Sequence, residues 1–556
     1  MTTVSAPSQP PPPVSPPVPP HASEATRLLC AGTYLSAAYR DRVIEELYLH
    51  EQRIAPPSLG HDAARVLAHA LRARRLELTW AAAIVALWIV GVVVTDMLLI
   101  GYLLPEVVLA LAGVVRGTAE HPAPLRRFVA LVLRWLGRFC FLVFLFITVL
   151  IVLFVGEEGG SAAPVFGGDG QIGPAQVWLA LVVLLAVAVC NAGQRGQFAR
   201  VMGAELAPER FPDAVSDPAE SAEGQRFRRL RDRIRLEQHK PLIMYHEARP
   251  FCGAGAAHDT WVLAVELRPE EDGAARPLGN RIVLDTVEPL LAALRVPAEH
   301  AGDAGRDRLR RLEIDECVFL PAEGLRRRVD APFGAEEFER HRTRAVEEGA
   351  EKRRHFLRVR VGGWEEELVV TVFVRVHTQG RMLMLEIAPH VLQPIRADFK
   401  DADRAAHRFR SINAVAKAAW AVGQVPGSAV RSLVTLARGA AHGWATLTGG
   451  HGAALPEGPA VSVRELGSAA TGSLFQQMDV DRYLKSIQDR IAEGVKAALA
   501  AHGYRTGEFV QKVVNISNGG VHIGSVRDST FAVGDRAQAH STTGNMTKKG
   551  PDGDDD

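Results

Sequence analysis

The densest grouping of reactive side chains is the stretch YHEARPFCGAGAAHDTW, which holds His246, Glu247, Cys252, His258 and Asp259. A cysteine acts as a nucleophile when a base lies within hydrogen-bond reach and an acid orients that base. Cys252 with His246 or His258, and with Asp259, has the residue types for such a set. Gly253 and Gly255 could also turn backbone N–H groups toward an oxyanion or a phosphate. The spacing fits no nucleophile elbow, no Cys-x-x-Cys pair and no Walker loop, and Gly253-Ala254-Gly255 precedes a strand where a dinucleotide fingerprint would open a helix. The plainer reading is a long β-hairpin whose glycines permit positive φ. His246, Cys252 and His258 lack the tight, paired spacing of zinc ligands, so neither a metal nor a cofactor is expected.

These residues need a scaffold, and the flanking sequence describes one. Residues 240–400 read as an α+β domain with a largely antiparallel sheet. Strands are expected at 242–247, 260–267, 311–320, 356–361, 368–376 and 382–388. Leu357, Val359 and Val361 alternate with Phe356, Arg358 and Arg360, and short Gly-containing links join the last three strands, which is the pattern of an antiparallel meander. Helices near 284–295 and 335–353 are expected to cover it, the second a solvated helix of mixed charge.

Upstream, apolar blocks run from Trp80 to Val115, Phe128 to Val155 and Val177 to Cys190. A helix needs about 20 apolar residues to cross a bilayer. The first block is too long for one crossing and is interrupted at Thr95-Asp96 and Pro105-Glu106. Arg72, Arg74 and Arg75 precede it, Arg116, Arg126 and Arg127 follow it, and Arg195 and Arg200 follow the third block. The loop after the second block has acids and no Lys or Arg. The positive-inside rule then places both termini in the cytoplasm and folds the first block, 80–115, into a hairpin, giving four spans with 128–155 and 175–192. Three spans remain the alternative. Asp96 is either an intramembrane proton or ion site or a solvated carboxylate at the extracellular turn of that hairpin.

The remaining segments complete a plan of the chain. Residues 1–22 form a Pro-rich disordered tail without the pattern of a signal peptide, and 23–79 a cytoplasmic helical segment. Residues 193–239 are a linker and a basic amphipathic helix. In that helix Arg226, Arg228, Arg229, Arg231, Arg233 and Arg235 surround Phe227, Leu230 and Ile234, a composition suited to anionic lipid headgroups. Stacking aromatics and groove-reading motifs are missing, so nucleic acid is not an expected partner. Residues 401–470 read as a Gly/Ala-rich connector, and 471–556 as an amphipathic helix, a β motif and an acidic tail. The helix shows Tyr483, Leu484, Ile487, Ile491, Val495 and Leu499 on one face. The net charge of +1 and five cysteines without paired spacing fit a reducing compartment and no disulfide framework.

In the β motif, Val521-His522-Ile523-Gly524 and Phe531-Ala532-Val533-Gly534 are two apolar-x-apolar-Gly tetrads ten residues apart. The Val-x-Ile-Gly core resembles the RHIM-like amyloid signalling motifs of bacterial immune and cell-death proteins, although His522 stands where those motifs carry Gln. The resemblance implies templated self-assembly through Val521, Ile523, Gly524, Phe531, Val533 and Gly534. As a whole, with RLLCAGTYL, RPFCGAG and VTVFVRVHTQGRMLMLE in this order, the chain resembles a group of uncharacterised multi-pass membrane proteins of GC-rich actinobacteria. That resemblance implies a plasma-membrane location and no established activity. The expectation is therefore a membrane-anchored, non-enzymatic scaffold or sensor that presents a cytoplasmic α+β domain to a protein partner or to another copy of itself. The alternatives are a cysteine-dependent enzyme using the 246–259 loop, and a small transporter or channel using Asp96.

Overall fold

The computed structural model describes residues 18–117, 123–158, 174–221, 224–270, 275–295, 309, 311–347, 351–363, 367–448 and 454–517. The tetrads at Val521–Gly524 and Phe531–Gly534 and most of the Pro-rich tail lie outside the described residues.

The helical part opens with α1 (Glu24–Leu35) and α2 (Ala37–Ile44), capped by Ser23 and Ser36, whose hydroxyls accept from the Thr26 and Tyr39 N–H groups. Asp62 caps α3 (Ala63–Val94). The helix stops where Asp96 and Met97 take positive φ (47° and 69°), a sharp reversal that leaves Asp96 exposed. The chain re-enters through a 3-10 turn at Leu98–Tyr102 into α4 (Leu103–Arg116), followed by α5 (Pro124–Glu158) and α6 (Pro174–Arg200). Four stretches are long and apolar enough to cross a membrane: Ala63–Val94, Leu98–Arg116, Pro124–Ile151 and Ala175–Glu205. Their large outward side chains, such as Ile89, Val107, Phe139, Phe146 and Leu185, are exposed apolar groups. A protein in water would bury such groups, whereas lipid tails solvate them.

After α6 come α7 (Pro218–Ser221) and the basic helix α8 (Gln225–Glu237). Here the structure corrects the sequence reading. Phe227, Leu230 and Ile234 are buried in a core shared with Leu28, Val66 and Phe211, so the face expected to insert into lipid is already covered by protein. Arg226 pairs with Glu51 at 2.5 Å, Arg231 with Glu220 at 3.5 Å, and Arg235 with Glu220 at 2.6 Å and Asp62 at 3.1 Å. Arg228 and Arg229 remain on the surface and Arg233 is half-buried. Three apolar residues gain more by joining a preformed core than by a shallow lipid contact, and the acids of neighbouring segments are there to meet the arginines.

The α+β part follows: β1 (Leu242–Tyr245), β2 (Ala256–Ala257), β3 (Trp261–Glu266), α9 (Asn280–Ala293), β4 (Leu312–Pro321), α10 (Ala335–Glu347), β5 (Arg354–Gly363), β6 (Leu368–Gln379) and β7 (Met382–Leu392). The sheet order is β1-β4-β5-β6-β7, with β2 and β3 end to end along the far edge of β7. Only β1–β4 is parallel; the other pairs are antiparallel, including the β5-β6-β7 meander. The chain then continues through α11 (Ala397–Lys400), α12 (Ala402–Ser411), α13 (Ala414–Gly423), α14 (Ser428–Thr448), α15 (Val463–Leu466), α16 (Leu474–Ala501) and α17 (Gly507–Ser517). One face of the sheet, with Leu357, Val359, Val361, Val372 and Ile387, is sealed by α9 and by the apolar face of α16, from Tyr483 to Leu499.

The segment expected to be a connector is instead helical and packs into the bundle. Alanine is the strongest helix former, so an Ala-rich run needs only a partner surface to become a stable helix. Trp88 Nε1 donates to Ser428 Oγ at 3.4 Å near the start of α14, and Arg74 donates to the Arg438 carbonyl at 3.3 Å near its end. α14 therefore runs antiparallel to α3. Gly439 lets the two helices close, since a Cβ there would stand 2.5 Å from Leu78 Cδ2. α13 and α14 thus form a hairpin whose tip, Gln424–Gly427, reaches the level of Trp88 in the apolar helices.

Candidate functional site

The 246–259 loop crosses the second face of the sheet, and Phe251 is its anchor. The Phe251 ring lies 5.3 Å from Phe319, 5.6 Å from Phe356, 4.8 Å from Phe373 and 4.6 Å from His390, centroid to centroid. Successive tight turns follow, with Cys252 N–H donating to the Arg249 carbonyl and Ala254 N–H to that of Phe251. Gly253 (φ 98°) and Gly255 (φ 96°) then take left-handed backbone that other residues resist. Their N–H groups do converge on a carboxylate, and it is the protein's own. Glu465 Oε1 accepts from Gly253 at 2.8 Å and from Gly255 at 3.1 Å. Glu465 Oε2 accepts from Ser462 N–H at 3.3 Å within a capping box and lies 3.5 Å from the Arg249 guanidinium. The backbone nest expected as a candidate oxyanion site is filled by Glu465 of α15.

The proposed nucleophile fares likewise. Cys252 is buried, its Sγ lies 4.0 Å from Glu465 Oε2, and burial together with that carboxylate pushes the thiol far above its ordinary range. A reactive cysteine needs the opposite, a cationic and accessible surrounding. His246 Nδ1 accepts from Ala248 N–H at 3.1 Å, and Glu247 faces Lys352 at 3.5 Å on the surface. His258 and Asp259 stand 3.6 Å apart at the outer end of the loop, His258 half-buried and Asp259 exposed with φ 29°. No hydrogen bond links Cys252 to either histidine among the described residues, which also contain no cluster of His, Cys, Asp or Glu able to hold a metal.

The buried charges lie elsewhere. Asp217 Oδ2 accepts from Arg65 Nη2 at 2.8 Å and lies 3.0 Å from His69 Nε2, whose Nδ1 is 3.2 Å from Tyr34 Oη. Burial alone would raise the Asp217 carboxyl, but the His69 and Arg65 contacts outweigh it and hold it well below the carboxylate range. His61, fully buried at the joint between the helical part and the sheet, is pushed down to about 3 by burial and by the Arg464 guanidinium.

At the tip of the α13–α14 hairpin Glu106 performs a second carboxylate capping. It is fully buried, and it accepts from Gly427 N–H at 2.6 Å and Val430 N–H at 3.3 Å, satisfying the open N-terminus of α14. Beside the hairpin is a cavity of ≈ 320 Å³ bounded by α3, α6, α13 and α14. Asn191, Gln194, Arg195, Gln424, Ser428 and Arg431 supply most of its polar lining. Sequence reasoning missed Glu465 and Glu106. Ser462-x-x-Glu465 is a readable capping-box signature, and Glu106 is an acid in an apolar block; Asp96, the acid chosen instead, sits in the exposed turn.

The class these features define is an α-helical bundle of membrane type with a docked α+β domain. Residues 260–527 match the family model of the AbeC-like domain. The match takes in β3, the α13–α14 hairpin and α16, and begins just past Cys252. It omits the first eight helices. No curated protein and no solved structure matches the chain.

Proposed function

We propose that the chain is a membrane-anchored, non-enzymatic sensor, with four spans, both termini in the cytoplasm and an α+β domain that reports on the state of the bundle. The observation that carries this reading is the path of the chain. The hairpin lies in series between β7 and α16, two elements of one hydrophobic core, while its tip is capped by Glu106 of an apolar helix. A movement of α13–α14 in the bundle would therefore pull on both ends of the sheet's packing. Cys252 is buried and the N–H groups of Gly253 and Gly255 are taken by Glu465, which supports a binding role over a catalytic one. The tetrads at Val521–Gly524 and Phe531–Gly534 would provide the self-association arm; fibre formation by a 511–540 peptide supports that arm, and lasting solubility at high concentration removes it.

Hydrogen exchange on the full-length protein in nanodiscs tests the coupling. Glu106→Gln loosens the hairpin tip, and faster exchange should spread to α16 and to the 250–258 loop. Faster exchange at the tip with an unchanged sheet and α16 would sink the sensor reading. A reporter inserted beside Asp96 should appear outside the cell, and a cytoplasmic signal would remove the four-span arrangement.

A further inference from the structure

The cavity between α3, α6, α13 and α14 is lined by two arginines, Arg195 and Arg431, and by one acid, Glu77. Glu77 on its rim is taken by Arg40. Arg431 donates to the carbonyls of Gly427 at 3.0 Å and Gln424 at 2.7 Å and to Gln424 Oε1 at 3.3 Å, with the buried Glu106 carboxylate acting on it electrostatically. Arg195 touches only the Phe198 ring, 4.7 Å away, and no carboxylate reaches it among the described residues. The third observation is independent of the charges. Asn191 is 93 % buried (7 % exposed), lines the cavity, and its Nδ2 has no hydrogen-bond partner. A buried amide left unpaired is destabilising, and an unpaired charge in a low-dielectric setting is more so. Such a cost is offset when a ligand supplies the missing acceptors. Gln194, Ser432 and Thr435 add further polar groups on the same walls.

The depth of the cavity limits what that ligand is. Trp80, whose Nε1 donates to Gln197 at 2.5 Å, marks the polar border of the apolar helices at the same level as Arg195. Tryptophans of this kind sit at headgroup depth. The tip of the hairpin at Trp88 lies eight residues further along α3, ~12 Å deeper at the helical rise per residue. A tetrahedral anion of phosphate size fits the donor set: the Arg195 guanidinium for paired N–H···O contacts, the remaining N–H groups of Arg431, and amide and hydroxyl donors for the other oxygens. Basic pockets between helices at the membrane border are suited to acidic headgroups. We propose that this cavity binds a phosphate group, held by Arg195, Arg431 and Asn191, and donated either by an anionic lipid or by a soluble phosphate.

Native mass spectrometry of full-length protein released from nanodiscs, of phosphatidylcholine alone or mixed with phosphatidylglycerol, tests this. The wild type should retain phosphatidylglycerol in preference to phosphatidylcholine, and Arg195→Gln should hold it about tenfold less tightly, the effect of losing one charged donor pair. Thr435→Leu narrows the cavity without removing a charge and should lower retention as well, which keeps the test valid if Arg195→Gln folds poorly. Arg228→Gln, on the exposed face of α8, should bind as the wild type does. Inorganic phosphate alone is the second arm: a rise in Tm of the wild type, absent in Arg195→Gln, assigns the site to a soluble phosphate. Equal retention by wild type and both cavity variants overturns the proposal, as does no preference for phosphatidylglycerol together with no response to phosphate.

Discussion

The 246–259 loop and the α13–α14 hairpin are opposites in what they advertise. The loop displays cysteine, histidine, aspartate and glycine side by side, yet the folded chain buries the cysteine and takes the glycine N–H groups for itself: Phe251 plugs an aromatic cluster, and Glu465 fills the glycine nest. The hairpin displays few reactive side chains, yet it borders a cavity with an unpaired buried amide, Asn191, and an arginine, Arg195, that meets no carboxylate among the described residues. Reactive residue types mark a site only when the fold leaves them without partners. A carboxylate plays the same part in both regions, since Glu465 and Glu106 each gather backbone N–H groups from a distant segment.

The sharpest way to break this contrast is to disturb the nest itself. Gly255→Ala places a methyl group against the Val391 carbonyl and the adjacent backbone, at φ 96°, and should cost about 3–4 kcal/mol in equilibrium unfolding. Glu465→Ala leaves the N–H groups of Gly253 and Gly255 without their acceptor and should cost about 3 kcal/mol. In that variant maleimide should label Cys252, which in the wild type should stay protected at neutral pH. Rapid labelling of the wild type would restore the cysteine as a candidate nucleophile.

His61 provides a pH test of the joint between the two parts. Its folded value, about 3, lies below the unfolded 6.5, so the unfolded chain takes up a proton first as the solution is acidified. The contribution is present in full above pH 6.5 and is lost as pH falls toward 3. It amounts to about 1.4 kcal/mol per pH unit, about 2 kcal/mol by pH 5. His61→Leu should reduce the slope of stability against pH by about one proton in that window. At the hairpin, Ser428→Ala removes only the acceptor of Trp88 Nε1 and should cost about 1 kcal/mol in thermal unfolding. His258→Ala, at the exposed end of the loop, should change stability by less than about 0.5 kcal/mol and leave the cellular phenotype intact. A lost phenotype with normal folding would reopen the enzymatic reading.

Much of the architecture was legible because it rests on periodicity. The strands from Leu312 to Leu392 follow their alternation, α16 follows its apolar stripe, and the interruption at Thr95-Asp96 became a turn with two left-handed residues. The parallel pairing of β1 with β4 was not legible, because alternation fixes faces and not neighbours. The basic helix misled for a related reason. Its stripe of Phe227, Leu230 and Ile234 specifies that one face must be covered, and protein and lipid satisfy that requirement equally well in one dimension.

The amino-acid order by itself determined the apolar helices, the meander and the capping signature at Ser462-x-x-Glu465, since each is set by residues within one or two turns or strands. Only the tertiary structure decided which carboxylate meets the glycine nest, and that 413–448 enters the bundle. It alone also left Asn191 and Arg195 facing a cavity. Those outcomes depend on contacts between residues more than a hundred positions apart, such as Glu106 with Gly427 and Gly253 with Glu465. Local propensity carries no information about such pairs; burial and the need to satisfy each buried polar group select them.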